Sequence, residues 1–109
     1  MSNEGSVKFD KDKPRMELLP LVALEEVAKV MTFGAAKYAD DGWKGLPDKE
    51  RRYLGALLRH LTAIQKGEEI DPDSGLPHIS HVACNALFLT YFEANKPKVI
   101  DRAGYRRIL

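Results

Sequence analysis

The sequence holds one cysteine, Cys84, among 109 residues. A lone thiol forms no intramolecular disulfide and supplies no cysteine-rich zinc site. No run of 18 apolar residues is present, so no membrane-spanning helix is expected. Met1-Ser2-Asn3-Glu4-Gly5 lacks a basic-then-apolar pattern, so no secretory leader is expected. Glycine-rich phosphate loops (GxGxxG, Walker) and the HExxH zinc motif are missing. Period-2 alternation long enough for a sheet is missing, as are internal repeats. Net charge is nearly missing as well, 17 Lys+Arg against 16 Asp+Glu. Such a chain reads as one small soluble domain of the cytoplasm.

What is present is ordinary in amount and uneven in placement. The chain is 44% apolar and 30% charged, which suits a folded domain and not a disordered one. From Lys96 to Leu109 five basic residues face one acid, a surplus of +4. From Lys66 to Asp73 one lysine faces four acids, a deficit of −3. The basic tail, 96–109, lacks a longer Lys/Arg cluster, so nucleic acid is not an expected partner.

Helical spacing dominates the middle of the chain. Residues 1–6 read as a loose end, and Pro14 sets Lys13 in an extended arm. Pro20 suits a helix start. Leu24, Val27, Met31, Ala35 and Tyr38 then recur at helical spacing over 21–38. Gly34 within that run predicts close packing or a break. Residues 39–47 read as a loop holding Trp43. Asp48 is placed to cap a second helix that runs to Lys66 and ends at Gly67. An acidic loop follows over 68–77. A third helix, about 77–95, is apolar on most faces, which predicts burial, and Pro97 ends it. These elements predict an all-α single domain: a bundle of three main helices with an extended N-terminal arm. An odd number of long helices with so apolar a third one predicts completion by a dimer or tetramer of the same chain.

The strongest chemical signal lies on the third helix. His78, His81 and Asn85, at i, i+3 and i+7, fall within about 60° of one another at 100° per residue. An unpartnered buried polar group costs about 1–3 kcal/mol, so this stripe must meet other side chains, a metal or a ligand. On the first helix Glu26, Phe33 and Lys37 share a face, with Glu26 a candidate metal ligand or base and Lys37 a candidate phosphate contact. The alternative for Glu26 is a solvated face. His60, among Tyr53, Leu57 and Ile64, reads as a core histidine. Arg59 aligns with Arg52 and is suited either to phosphate or to an exposed basic stripe. Asp71 and Asp73 directly precede the histidine helix. They do not start a calcium loop, because the twelfth position is Val82. Turn and capping roles are the ordinary ones for Asp73 and Ser74.

Four ordered blocks carry a resemblance over about residues 7–92. They are Lys8-Phe9-Asp10-Lys11-Asp12-Lys13-Pro14-Arg15 through Pro20, Phe33-Gly34-Ala35-Ala36-Lys37-Tyr38 with Trp43, Leu54 through Leu61, and Asp71-Pro72-Asp73-Ser74-Gly75-Leu76-Pro77-His78 through His81 to Asn85. Together they resemble the phage and bacterial dATP/dGTP diphosphohydrolases, a family similar to the all-α MazG-type nucleoside triphosphate pyrophosphohydrolases. The MazG-type enzymes hold Mg²⁺ on an ExxE and an ExxD motif. Here His78-x-x-His81 stands where ExxD would, and Glu26 has no second acid three residues on. Imidazole favours Mn²⁺ or Zn²⁺ over Mg²⁺.

The resemblance implies release of pyrophosphate from a purine (deoxy)nucleoside triphosphate, in nucleotide-pool remodelling inside a phage-infected bacterial cell. It implies a divalent metal (Mn, Mg or Zn) on Glu26, His78, His81 and Asp73, with Glu26 as ligand or base. Phosphate contacts would come from Lys8, Lys13, Arg15, Lys37 and Arg59, with Asn85 also on the nucleotide. Tyr38 or Trp43 would stack on the base. The missing carboxylates keep a second reading open, a phage protein that sequesters a nucleotide signal without turnover. A helical interaction module with an internal polar network is a third.

Overall fold

Three helices of 17 residues each carry the chain: α1 (Leu21–Lys37), α2 (Lys49–Gln65) and α3 (His78–Ala94). The computed structural model describes residues 11–101 and 104–107. Short 3-10 turns sit at Met16–Leu18 and Gly42–Lys44. The strands β1 (Lys98–Asp101) and β2 (Gly104–Arg107) pair antiparallel, with Lys98 opposite Arg107. The all-α expectation therefore holds for the body, and the tail adds a hairpin that alternation did not reveal. Lys8 and the start of the arm lie outside the described residues.

Local chemistry explains where each helix starts and stops. The Pro20 carbonyl accepts from the Ala23 and Leu24 amides, opening α1. Gly34 does not break α1, and a Cβ there would meet nothing within 4 Å, so neither expectation for it holds. Asp48 does stand at the N-cap of α2, but at φ 58 it makes no capping bond. Its carboxylate instead takes Arg51 Nε at 2.8 Å. At the other end, the Gly67 amide bonds Ile64 O at 2.9 Å and the Glu68 amide bonds Ala63 O at 2.9 Å. That is a Schellman motif, and the φ of +96 at Gly67 is the left-handed turn it requires. Pro77 precedes α3, whose first amide, that of His78, is bonded by Glu69 O at 2.9 Å.

The third helix is the spine, packed against both α1 and α2. Val27 and Val30 of α1 meet Cys84, Phe88 and Phe92 of α3, and Trp43 and Tyr53 close over them. Trp43 stacks on Phe88 with ring centres 4.3 Å apart and planes 9° apart. The Tyr53 hydroxyl donates to Trp43 O at 2.8 Å, pinning the 39–47 loop to α2. Burying each large apolar side chain is worth about 1.5–3 kcal/mol. Burial also holds the Cys84 thiol protonated, with its pKa pushed up to about 11. The outer face of α3 departs from the expectation of burial, because Ile79 is 59% and Leu87 44% exposed.

Candidate functional site

The polar stripe on α3 is buried as its spacing predicts. His78, His81 and Asn85 are 4%, 8% and 8% exposed. Each has a partner, and no buried side-chain nitrogen or oxygen among the described residues lacks one. Asn85 Nδ2 donates back to His81 O at 2.8 Å, within the helix. The two histidines reach outward to the neighbouring elements.

His78 Nε2 lies 2.7 Å from Glu68 Oε1, so it donates its proton to that carboxylate. Glu68 is delivered there by the Schellman turn that ends α2. His78 Nδ1 lies 2.8 Å from His60 Nδ1, so one of the two nitrogens carries the proton between them. His60 also stacks on His81, ring centres 4.4 Å apart at 12°. The α2 pattern alone makes His60 a core histidine and does not mark it as a partner of α3. Burial lowers its pKa, and the neighbouring His81 and His78 lower it further.

On the other side, His81 Nε2 lies 2.7 Å from Ser74 Oγ and 3.4 Å from Asp71 Oδ2. The Ser74 hydroxyl donates to Asp71 Oδ2 at 2.8 Å, and the Ser74 amide donates to the same oxygen at 3.1 Å. The Asp71 carboxyl is partly buried, which alone would raise its pKa. The two Ser74 bonds, His81 and the Asp73 amide outweigh that and lower it. Burial lowers the His81 pKa, and His78 adds to this against the opposing pull of Asp71 and Asp73.

Beside the network, an open cleft of ≈ 350 Å³ lies between α1, the 39–46 loop, α2 and α3. Phe33, Gly34 and Tyr38 form one wall, Trp43 and Phe88 another, and Arg52, His81 and Asn85 supply polar groups. Arg52 is the α2 cation at this cleft. Arg59, which the spacing aligned with it, borders a separate groove with Leu58, Thr62 and Lys66. Trp43 lines the cleft with one face already stacked on Phe88, whereas Tyr38 is 77% exposed. Lys37 Nζ lies 3.4 Å from Asp73 Oδ2, linking α1 to the acidic loop. Lys13 is exposed, and Arg15 is paired with Glu17 at 2.8 Å.

The expected metal set is not assembled. Glu26 is bound to Lys29 at 2.7 Å, Asp73 faces Lys37, and His78 and His81 each spend Nε2 on a protein partner. Asp71, not Asp73, is the carboxylate nearest His81. Among the described residues no group of three or more His, Cys, Asp or Glu is arranged to hold a metal ion. The donors present do not fit the metal centre that the resemblance implies.

Two buried histidines on one helix, His78 and His81, bonded to the acidic loop beside an open cleft, define a small helical protein with a partly polar pocket. Residues 3–102 match the family described as dATP/dGTP diphosphohydrolase, N-terminal, and the chain belongs to that family. The dATP/dGTP diphosphohydrolase of Salmonella phage PMBT28 is 35% identical over 96 residues, 88% of this chain. Those residues are 32% of that relative, so the chain spans about a third of its length. No solved structure matches. No helix among the described residues is long and apolar enough to cross a membrane.

Proposed function

We propose that the chain binds a purine deoxynucleoside triphosphate in the cleft between α1 and α3 and hydrolyses it, releasing pyrophosphate. The observation that carries this reading is the cleft itself. Its ≈ 350 Å³ lies within the usual range for small-molecule sites, with apolar walls for a base and Arg52 and Asn85 on its lining for phosphate. Arg52 offers a planar donor fork to phosphate oxygens. Tyr38, exposed at the rim, stacks on the base, and Asn85 lines the pocket near His81. Lys37 reaches phosphate by leaving Asp73. The family and the phage relative's printed name support the reaction class and a setting in phage nucleotide-pool remodelling. The apolar faces left open on α2 and α3 support assembly with a second copy.

The test is pyrophosphate release from dATP and dGTP, with Mg²⁺ or Mn²⁺ in the assay, beside dCTP and dTTP as controls. Release from the purine nucleotides alone is the expected result. A second reading, sequestration without turnover, is favoured by one observation: among the described residues the cleft is lined by a single carboxylate, Asp40, and no group of three or more His, Cys, Asp or Glu is arranged to hold a metal ion. Tight retention of intact nucleotide with no pyrophosphate would establish that reading and overturn the first.

A further inference from the structure

We infer that His81 is the general base of the hydrolysis, held in one tautomer by a Ser74–Asp71 relay; this rests on the proposed function above. The argument is a proton count. Ser74 has one hydroxyl proton and two close neighbours, Asp71 Oδ2 at 2.8 Å and His81 Nε2 at 2.7 Å. An ionised carboxylate has no proton to offer. Were the hydroxyl proton turned toward His81, two oxygens would face each other at 2.8 Å with nothing between them. The proton therefore goes to Asp71, and His81 Nε2 must carry its own. Ser74 Oγ then accepts twice, from His81 Nε2 and from the Leu76 amide at 3.2 Å, filling both lone pairs.

With the proton fixed on Nε2, Nδ1 of neutral His81 is an open lone pair. Among the described residues it has no protein partner, and no buried polar atom there is unpartnered, so Nδ1 is not sealed off from solvent by them. His81 lines the cleft. His60, stacked on the His81 ring with centres 4.4 Å apart, holds the plane of the ring. Histidine, carboxylate and a hydroxyl between them are a general arrangement for orienting a base and stabilising its protonated form.

The step balances as follows. Nδ1 takes one proton from a water, and the water oxygen forms a bond to the α-phosphorus. The bond from that phosphorus to the bridging oxygen breaks, and its electron pair leaves on pyrophosphate. The nucleoside monophosphate keeps the water's oxygen, and His81 returns its proton to solvent. Ser74 and Asp71 are positioning residues, because they act through His81.

The experiment uses the full chain with dATP and dGTP. His81→Ala should bind nucleotide within about threefold of wild type by calorimetry and lose turnover by about 100-fold or more. Asp71→Asn should lower kcat with little change in KM. It should also move the acid limb of the pH–rate profile to lower pH, because His60, His78 and Asp73 remain while the charge favouring the imidazolium is gone. Nitrogen-15 spectra of the wild type should show His81 protonated at Nε2 at neutral pH, a readout that needs no activity and no variant. A proton on Nδ1, or full turnover by a folded His81→Ala, overturns the base alone. A wild type that releases no pyrophosphate overturns the proposed function and the base with it.

Discussion

Gly34 shows how much one residue decides at this cleft. It sits inside α1 at a helical angle, lines the pocket, and leaves nothing within 4 Å of where a Cβ would stand. Glycine costs a helix interior about 0.8–1.0 kcal/mol relative to alanine. Gly34→Ala should therefore raise stability by about that amount in urea titrations. Gly34→Leu should instead project a side chain into the cleft and weaken nucleotide binding without unfolding the protein. A Gly34→Leu variant that binds dATP and dGTP as the wild type does would show that the nucleotide sits elsewhere. The same scale separates what the sequence could disclose from what it could not. His78, His81 and Asn85 were legible because 100° per residue puts them on one face. Arg52 and Arg59 were not separable, since both lie on α2 seven apart and only tertiary packing turns the cleft toward Arg52.

At the scale of elements, helix boundaries were readable and the loop chemistry was not. Gly67 announced the end of α2, and the Schellman motif there confirms it. No local rule, however, says that this turn aims Glu68 at His78, or that Asp71 and Ser74 fold under His81. Those contacts depend on α2 and α3 packing together, which is a long-range event. The hairpin was missed because its two strands have four residues each, too short for alternation to register. The α2–α3 junction also fixes a pH response. His60 and His81 both have pKa values lowered below 6.5 in the folded chain. The unfolded chain thus binds more protons once pH falls through 6.5, and stability falls with it. Their full contribution is present above 6.5 and is lost toward the lower folded values. Asp71, also lowered, adds a loss only as pH falls through about 3.8. The melting temperature should therefore drop between pH 7.5 and pH 5.5. A melting temperature that is flat across that interval would contradict neutral, buried histidines.

At the scale of the whole molecule, the core is small for the apolar content. Five apolar residues are buried among those described, while Leu54, Leu58 and Leu61 on α2 and Ile79 and Leu87 on α3 stay well exposed. The α3 sequence carries no charge from His78 to Phe92 other than what its histidines can acquire. A face meant for water would bear charges at several of those positions. Leu54 borders a groove shared with Leu89 and Phe92 of α3, so the open faces of the two helices adjoin there. Glu50, Arg51, Glu93 and Lys96 border the same groove; exposed apolar side chains with a charged rim suit a contact between copies, and closed two-fold assembly is the commonest form of one. The net charge of +1 places no strong repulsion between copies. Light scattering behind size exclusion should accordingly give a mass of two chains, about twice 12.3 kDa, at micromolar concentration. Leu58→Glu with Ile79→Glu puts charge at two of the exposed apolar positions, one on each helix, without touching the buried core. The double variant should elute as a single chain while its circular dichroism stays helical. A wild type that elutes as a single chain at every concentration tested would remove the second copy, and with it the account of why α3 is so apolar.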